Sequence, residues 1–386
     1  MARASKLLKD SLTNMMSLQQ SKAPLLSDEI PPKFSAENEV HFYGSVPVYR
    51  SIYAQRDWFA TFENILKNSV GNFELPSRML YDGPGMAQQW IRDAGQRTQH
   101  IEAQDAFQQF VAWRLADILR IWQPSTTICL VALGVGDSKK LRYLLNRIFY
   151  SRPHQTVQLI PYDISFDMIA DSLAECERDG LADVIAQANG QILGINDDFS
   201  RLTDYRQLLA PAHARLFCLL GNTLGNEREE RDVLEPIYSC MSGEDRLLLE
   251  VQLGEQNVQP TEALQAALQK DKEFCAGPFI VCGVPADHID LELTKEEVFL
   301  SDGSHYADSY KVTCRFKSDS TLTHRFLKEA YEIPEGLRVQ TVLAKRYKTD
   351  ALCSLFSQLG FRLVCEPATI QTGNRLFGYY CLGRDC

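Results

Sequence analysis

From Ala103 to Trp122 the apolar residues fall at helical spacing: Phe107, Phe110, Val111, Leu115, Ile118 and Leu119 make one stripe of FQQFVAWRLADILRIW, and Pro124 stops the run. Ile128 to Leu133 follows as a short unbroken apolar stretch, which predicts a strand covered on both faces of a parallel sheet. The two periods then alternate. Helical spacing returns over Ser138 to Arg147, with Leu141, Leu144 and Leu145 on one side. A strand is predicted over Val157 to Tyr162, a helix over Ser165 to Arg178 and a strand over Gly190 to Ile195. Two more apolar strands, Arg215 to Leu220 and Arg246 to Gln252, flank a helix over Glu229 to Cys240. Strand and helix in turn imply an α/β fold with a doubly wound, mostly parallel sheet.

After Gly254 the pattern changes. A helix is predicted over Thr261 to Phe274, and Asp287 to Leu293, Tyr310 to Phe316 and Leu322 to Leu327 alternate apolar and polar residues as an antiparallel sheet does. The α/β pattern resumes with a helix over Thr349 to Leu359, stopped by Gly360, and closing strands around Phe361 to Cys365 and Leu376 to Leu382. The expected organisation is a core of residues 103–254 plus 347–386, an inserted α+β domain of residues 73–102 plus 255–346, and an amino-terminal extension of residues 1–72. Within that extension a short polar helix is predicted near Lys6 to Gln20, then a linker over Ala23 to Phe34 with Pro24, Pro31 and Pro32. The aromatic residues between His41 and Phe73 suggest a segment packed on the rest of the chain or, as the second reading, on another copy of it in a homodimer.

Composition narrows the function. The 386 residues are 45% hydrophobic and 23% charged, proportions of a globular chain, and the net charge of −10 repels nucleic-acid phosphates and anionic lipids. No apolar run approaches the roughly 18 residues of a membrane helix, and no secretory pattern opens the chain. A cytoplasmic protein acting on a small molecule, without nucleic acid or membrane as partner, is the expectation. Most of the eleven cysteines sit singly in apolar stretches, as Cys129, Cys218 and Cys381 do, which suits free buried thiols. No C-x-x-C or histidine spacing suggests a metal.

Ligands of an open parallel sheet bind beyond the carboxyl ends of its strands. The loop after the first core strand, Gly134-Val135-Gly136-Asp137, allows close backbone approach but lacks the third glycine of a dinucleotide fingerprint. Asp137 at the helix start competes with a pyrophosphate for the positive end of the helix dipole, so a cofactor without phosphates fits better. Asp163 ends the second strand 27 residues past Gly136, where such folds bond the two hydroxyls of a ribose. Asp198-Phe199 follows the third strand, an acid for an adenine amino group beside a ring for its face. Taken singly, a Gly-x-Gly is a turn and an Asp after a strand is a helix cap. In this order they describe S-adenosylmethionine (SAM).

The fourth strand runs into Gly221-Asn222-Thr223-Leu224-Gly225-Asn226, which resembles the G-S-T-I-G-N motif of the histidine-specific Nα-methyltransferases of ergothioneine biosynthesis. Gly134 to Lys140 is similar to that family's L-G-S-G-T-x-x-K loop, Ile160-Pro161-Tyr162-Asp163 to its V-P-F-D, and Leu80-Tyr81-Asp82 to an upstream tyrosine motif. The resemblance runs from about Tyr81 to the carboxyl end. It implies a class I methyltransferase, Rossmann-like in fold, with Gly134, Gly136, Lys140, Asp163, Asp198, Phe199 and Gly221 at the cofactor. Lys140 would lie near the methionine carboxylate. Asn226 would bind the carboxylate of an amino-acid substrate, and Tyr81 would orient its amino group.

Two departures accompany the match. Where the family has E-V-S, whose Glu and Ser recognise imidazole, this chain has Val342, Leu343 and Ala344. Loss of two buried polar contacts turns an imidazole site into an apolar one, so the expected substrate is an amino acid, or a molecule derived from one, other than histidine. The tyrosine that precedes the family's T-R-x-E segment also lacks a counterpart before Gln96 to Glu102. Two rival readings stand beside N-methylation: a tailoring methyltransferase acting on oxygen, carbon or a side-chain nitrogen of a natural product, and a non-catalytic module that keeps the cofactor fold.

Overall fold

The computed structural model describes residues 40–43, 49–53, 57–83, 85–94, 98–209, 214–254, 268–299 and 303–385. The predicted Lys6 to Gln20 helix and the Ala23 to Phe34 linker lie outside these. Strands β1 (Val40–Tyr43) and β2 (Tyr49–Tyr53) form an antiparallel pair ahead of helix Trp58–Asn68 and the two-residue strand β3 (Phe73–Glu74). Five strands alternate with helices after helix Thr98–Leu119: β4 (Ile128–Leu133), β5 (Val157–Asp163), β6 (Gln191–Asn196), β7 (Ala214–Leu219) and β8 (Arg246–Leu253). The insertion supplies β9 (Ile289–Phe299), β10 (His305–Phe316), β11 (Ser320–Leu322), β12 (Tyr331–Ile333) and β13 (Arg338–Tyr347). The chain closes with β14 (Phe361–Leu363), β15 (Ala368–Thr372) and β16 (Arg375–Arg384).

Parallel pairing runs β2-β6-β5-β4-β7-β8, and β16 adds to β8 antiparallel. The α/β fold with a mostly parallel sheet expected from periodicity is therefore present. All six residues of β4 are buried, as a central strand covered on both faces requires. From β4 the chain winds one way through β5 and β6 and the other way through β7 and β8, so the loops after β4 and β7 open a crevice between them.

The insertion is an antiparallel sheet β9-β10-β13, joined to the core where Tyr347 pairs with Leu253 at the end of β8. Strand β13 is a feature the sequence reading passed over. Its residues alternate buried and half-buried along Val339 to Tyr347 without matching hydrophobicity, because Lys345 is a buried position and Val342 and Ala344 are half-buried ones. The strand predicted over Leu322 to Leu327 ends at Leu322, and Arg325 to Leu327 turns instead.

Two hydrophobic clusters stand out among the described residues. One lies between the parallel sheet and its helices, around Phe107, Leu130, Leu144 and Leu216. The other fills the insertion and draws in Trp58, Phe59 and Phe62, aromatics counted with the extension in the sequence. Phe62 is fully buried against Phe279, a placement that contributes about 2 kcal/mol, and Trp58 stacks on Phe62 at 5.0 Å. This part of the aromatic segment is packed on its own chain. The ten described cysteines are free, and eight of them are buried. No described helix is long and apolar enough to cross a membrane.

Candidate active site

A cavity of about 1080 Å³ opens beyond the carboxyl ends of β4, β5, β6 and β7. One end is made of the loops that follow those strands, and the other is one face of the inserted sheet. Every residue singled out in the sequence lines it: Tyr81, Gly134, Gly136, Lys140, Asp163, Asp198, Phe199, Gly221, Asn226, Val342 and Ala344.

At the loop end the backbone turns sharply, with φ of +68° at Gly134, +54° at Gly136 and +55° at Ser138. A β-carbon at Gly134 would lie 3.2 Å from the Thr223 side chain, and one at Gly136 would lie 3.3 Å from the Trp90 ring, so both conformation and space favour glycine. At Gly221, φ is +81° and a β-carbon would meet nothing within 4 Å, because the backbone there faces open cavity. Asp137 accepts from the Lys139 backbone N–H at 3.4 Å and pairs with the Lys139 ammonium at 3.1 Å.

Asp163 is buried at the end of β5, where the Ser165 N–H donates to it at 2.8 Å and the backbone of Val135 and Gly136 donates from the glycine loop. Burial nevertheless pushes its carboxyl up to about 6. Asp198 caps the turn Phe199–Tyr205 by accepting from the Ser200 N–H at 3.0 Å and hydroxyl at 2.8 Å, and Arg78 pairs with its other oxygen at 2.9 Å. Burial raises this carboxyl, but Ser200 and Arg78 outweigh burial and hold it below its ordinary range. Beside them Glu227, largely desolvated and facing the charge of Asp198, is pushed up to about 7. The Phe199 ring leans toward Gly134, 6.0 Å from the ring of Tyr162. Deeper in, Lys140 Nζ lies 2.5 Å from Glu250 Oε1.

The sheet end owes its character to strand alternation. In β13, Gln340, Val342, Ala344 and Arg346 share the cavity face. Val342 pairs with Val312 of β10, which pairs with Leu293 of β9, and Ala344 pairs with Tyr310, so one apolar row and one aromatic position floor the cavity. The Arg346 guanidinium lies over the Tyr310 ring at 4.5 Å. Tyr81 stands edge-on to Trp90 at 6.4 Å and tilted to Phe274 at 5.5 Å, and Trp90 meets His100 at 5.2 Å. On the opposite face of β13, Lys345 pairs with Glu230 at 2.6 Å and Tyr347 donates to the same carboxylate at 3.0 Å, which locks the insertion to the chain after β7.

Asn226 stands at the seam between the two ends. In the amide orientation that satisfies its neighbours, the side-chain nitrogen donates to Leu343 O at 3.2 Å and to Asn222 O at 3.3 Å, and the backbone oxygen of Asn226 accepts from Ser77 Oγ at 2.6 Å. With both amide protons engaged, Asn226 offers the cavity its side-chain oxygen.

The sequence reading missed Arg78, Trp90, Phe274, Tyr310, Glu227 and Glu250. Most sit in short or irregular segments with no motif, but Glu250 carries a signal: a lone acid inside LLLEVQL, an apolar strand, must find a buried partner. Away from the cavity, ligand atoms of Glu297, His305 and Asp308 lie within 4.8 Å of one another, with Asp308 paired to Lys295 at 3.2 Å and to His305 at 3.0 Å.

The loop end suits an adenosyl amino acid: open space at Gly221, acids after β5 and β6, and a buried Glu250 oxygen with no partner among the described residues. Such a crevice is where a doubly wound sheet takes its ligand. The sequence pattern of the histidine-specific, SAM-dependent methyltransferases matches residues 66–381, and the chain belongs to that family. It is a SAM-dependent methyltransferase. Comparison with curated proteins gives no match. Among solved structures the chain is similar to the glycopeptide N-methyltransferase MtfA complexed with S-adenosylhomocysteine, at 9% identity and a TM-score of 0.36 over 73% of this chain and 87% of that one. It is similar to the 1,6-didemethyltoxoflavin-N1-methyltransferase of Burkholderia thailandensis, at 10% and 0.40 over 90% and 99%, and to the mitomycin 7-O-methyltransferase MmcR, at 11% and 0.33 over 80% and 70%.

Proposed function

We propose that this cytoplasmic enzyme N-methylates an amino acid, or a small molecule derived from one, other than histidine, as a biosynthetic step. One observation carries the reading. The cavity face of β13 presents Val342 and Ala344 opposite Val312 and Tyr310, a surface that suits an aliphatic or aromatic side chain and gives an imidazole neither carboxylate nor hydroxyl at those two positions.

In this reading Gly134, Gly136 and Gly221 let the cofactor approach the backbone, Asp163 accepts from the ribose hydroxyls, Asp198 and Phe199 receive the adenine, and Lys140 faces the methionine carboxylate. Bound SAM supplies a methyl group on a sulfonium, open to in-line displacement. The chain must then hold a neutral amine about 3 Å from that carbon and in line with the breaking bond. The resemblance gives Asn226 to the substrate carboxylate. With its protons on Leu343 and Asn222, the residue is better suited to accept from the amine, with Tyr81 orienting that amine and passing its proton to solvent water. Trp90 and Phe274 give Tyr81 an aromatic surround.

The test is calorimetric titration with S-adenosylhomocysteine, followed by a mass-spectrometric methylation screen over the amino acids. Binding with one N-methylated product other than histidine is expected. A product methylated on oxygen, carbon or a side-chain nitrogen, or a clear preference for histidine, would overturn the substrate reading.

A further inference from the structure

Glu250 is a carboxylate placed where a purely structural role leaves half of it unused. It lies on β8 next to Leu249, which pairs with Leu219 at the end of β7, so it stands level with the glycine loop and not deep in the sheet. Its side chain is 1% exposed and it lines the cavity. One oxygen meets Lys140 Nζ at 2.5 Å, while Oε2 is buried with no hydrogen-bond partner among the described residues. A desolvated carboxylate oxygen without a donor is costly, and such groups are retained where a ligand completes them.

The charge pattern says which ligand. Lys140 alone would attract a carboxylate and repel an ammonium beside it. Lys140 and Glu250 together are neutral and offer one positive and one negative group side by side, the complement of an α-amino-acid zwitterion. We infer that Glu250 binds the α-ammonium of the cofactor's amino-acid moiety through Oε2 while Lys140 binds its α-carboxylate. This rests on the assignment of the glycine end to SAM, and it adds an anchoring residue that no motif in the sequence marks. Glu250 is a positioning residue: it fixes the amino-acid arm, and through that arm the direction of the sulfonium.

The experiment uses the full chain and two ligands, S-adenosylhomocysteine and 5′-methylthioadenosine, which keeps the nucleoside and thioether but lacks the amino acid. In Glu250→Gln the amide oxygen can still accept from Lys140, so the fold has a partner for the lysine, but the charge that faces the ammonium is gone. S-adenosylhomocysteine is expected to bind about 30-fold more weakly to Glu250→Gln than to the wild type, with methylthioadenosine affinity unchanged. Equal S-adenosylhomocysteine affinity in both proteins would overturn the inference. So would a parallel loss for both ligands, which marks a structural role. A wild-type chain that binds methylthioadenosine but gains nothing from the amino-acid arm would also overturn it, whereas one that binds neither ligand would remove the site assignment itself.

Discussion

At the glycine end of the cavity the two acids stand where strands give way to loops and are held by backbone: Asp163 by Ser165 and the glycine loop, Asp198 by Ser200. At the other end the lining is a sheet face, with Val342, Val312 and Leu293 in one cross-strand row and Ala344 beside Tyr310 in the next. A loop site fixes its donors and acceptors whatever lies opposite, so it can serve one cofactor across many substrates. A sheet face changes its chemistry by single side-chain replacement while its hydrogen-bonded frame stays put. In the proposed reading, the loop end keeps a cofactor site while the sheet face, with Val342 and Ala344, carries the change of substrate.

The hardest blow to the arrangement falls on what holds the two ends together. Lys345 and Glu230 are both buried, 7% and 9% exposed, and 2.6 Å apart. Lys345→Met leaves Glu230 charged and buried with only the neutral hydroxyls of Tyr347 and Tyr306 beside it, which should cost about 3 to 5 kcal/mol in denaturant unfolding. Adding Glu230→Gln should recover part of that loss. A change under about 1 kcal/mol would mean that the seam does not depend on the pair.

Next in size is the sheet face itself. Val342→Glu with Ala344→Ser restores an acid and a hydroxyl on the cavity side of β13, and histidine methylation should rise roughly 100-fold over the wild type. The readout is kcat/KM for histidine with S-adenosylhomocysteine affinity as the control. If cofactor binding persists and histidine is still refused, discrimination lies elsewhere in the cavity.

Asn226→Ala separates the ends more gently. The KM of the acceptor found in the screen should rise about 10-fold, with S-adenosylhomocysteine affinity nearly intact. A matching loss of cofactor affinity would place Asn226 with the loop frame and not with the substrate.

The same contrast explains what could be read from the sequence. Core strands such as β4 and β7 are legible because burial on both faces demands unbroken apolar runs. Gly134, Asp163, Asp198 and Asn226 are legible because each belongs to a motif of consecutive residues. Strand β13 is not, because its buried positions include Thr341 and Lys345, whose partners Cys314 and Glu230 stand 27 and 115 residues away in sequence. Trp90 and Tyr310 reach the cavity only through tertiary packing, and nothing in their neighbours' spacing announces it. Val342 and Ala344 are marked by resemblance to a family motif and not by periodicity, and the alternation of β13 puts both on the cavity face.

The smallest effect concerns the glycine end alone and is a matter of pH. In the proposed assignment Asp163 accepts from the ribose hydroxyls, more strongly as a carboxylate than as a neutral acid, and its carboxyl is pushed by burial from the ordinary 3.8 up to about 6. At pH 5.5 only about a quarter of it is charged, so S-adenosylhomocysteine affinity should fall about fourfold between pH 7.5 and 5.5. Unfolding does not mimic this. A carboxyl raised in the folded state holds its proton more tightly than the unfolded chain does, so Asp163 favours folding most below pH 3.8 and loses that contribution as the pH climbs through 3.8 to about 6. Acid therefore weakens the site without weakening the fold through this residue. Asp163→Asn should bind more weakly at every pH and show a flat profile over this range; a variant that keeps the wild-type slope would move the titrating group to Glu227, the neighbouring acid pushed up to about 7.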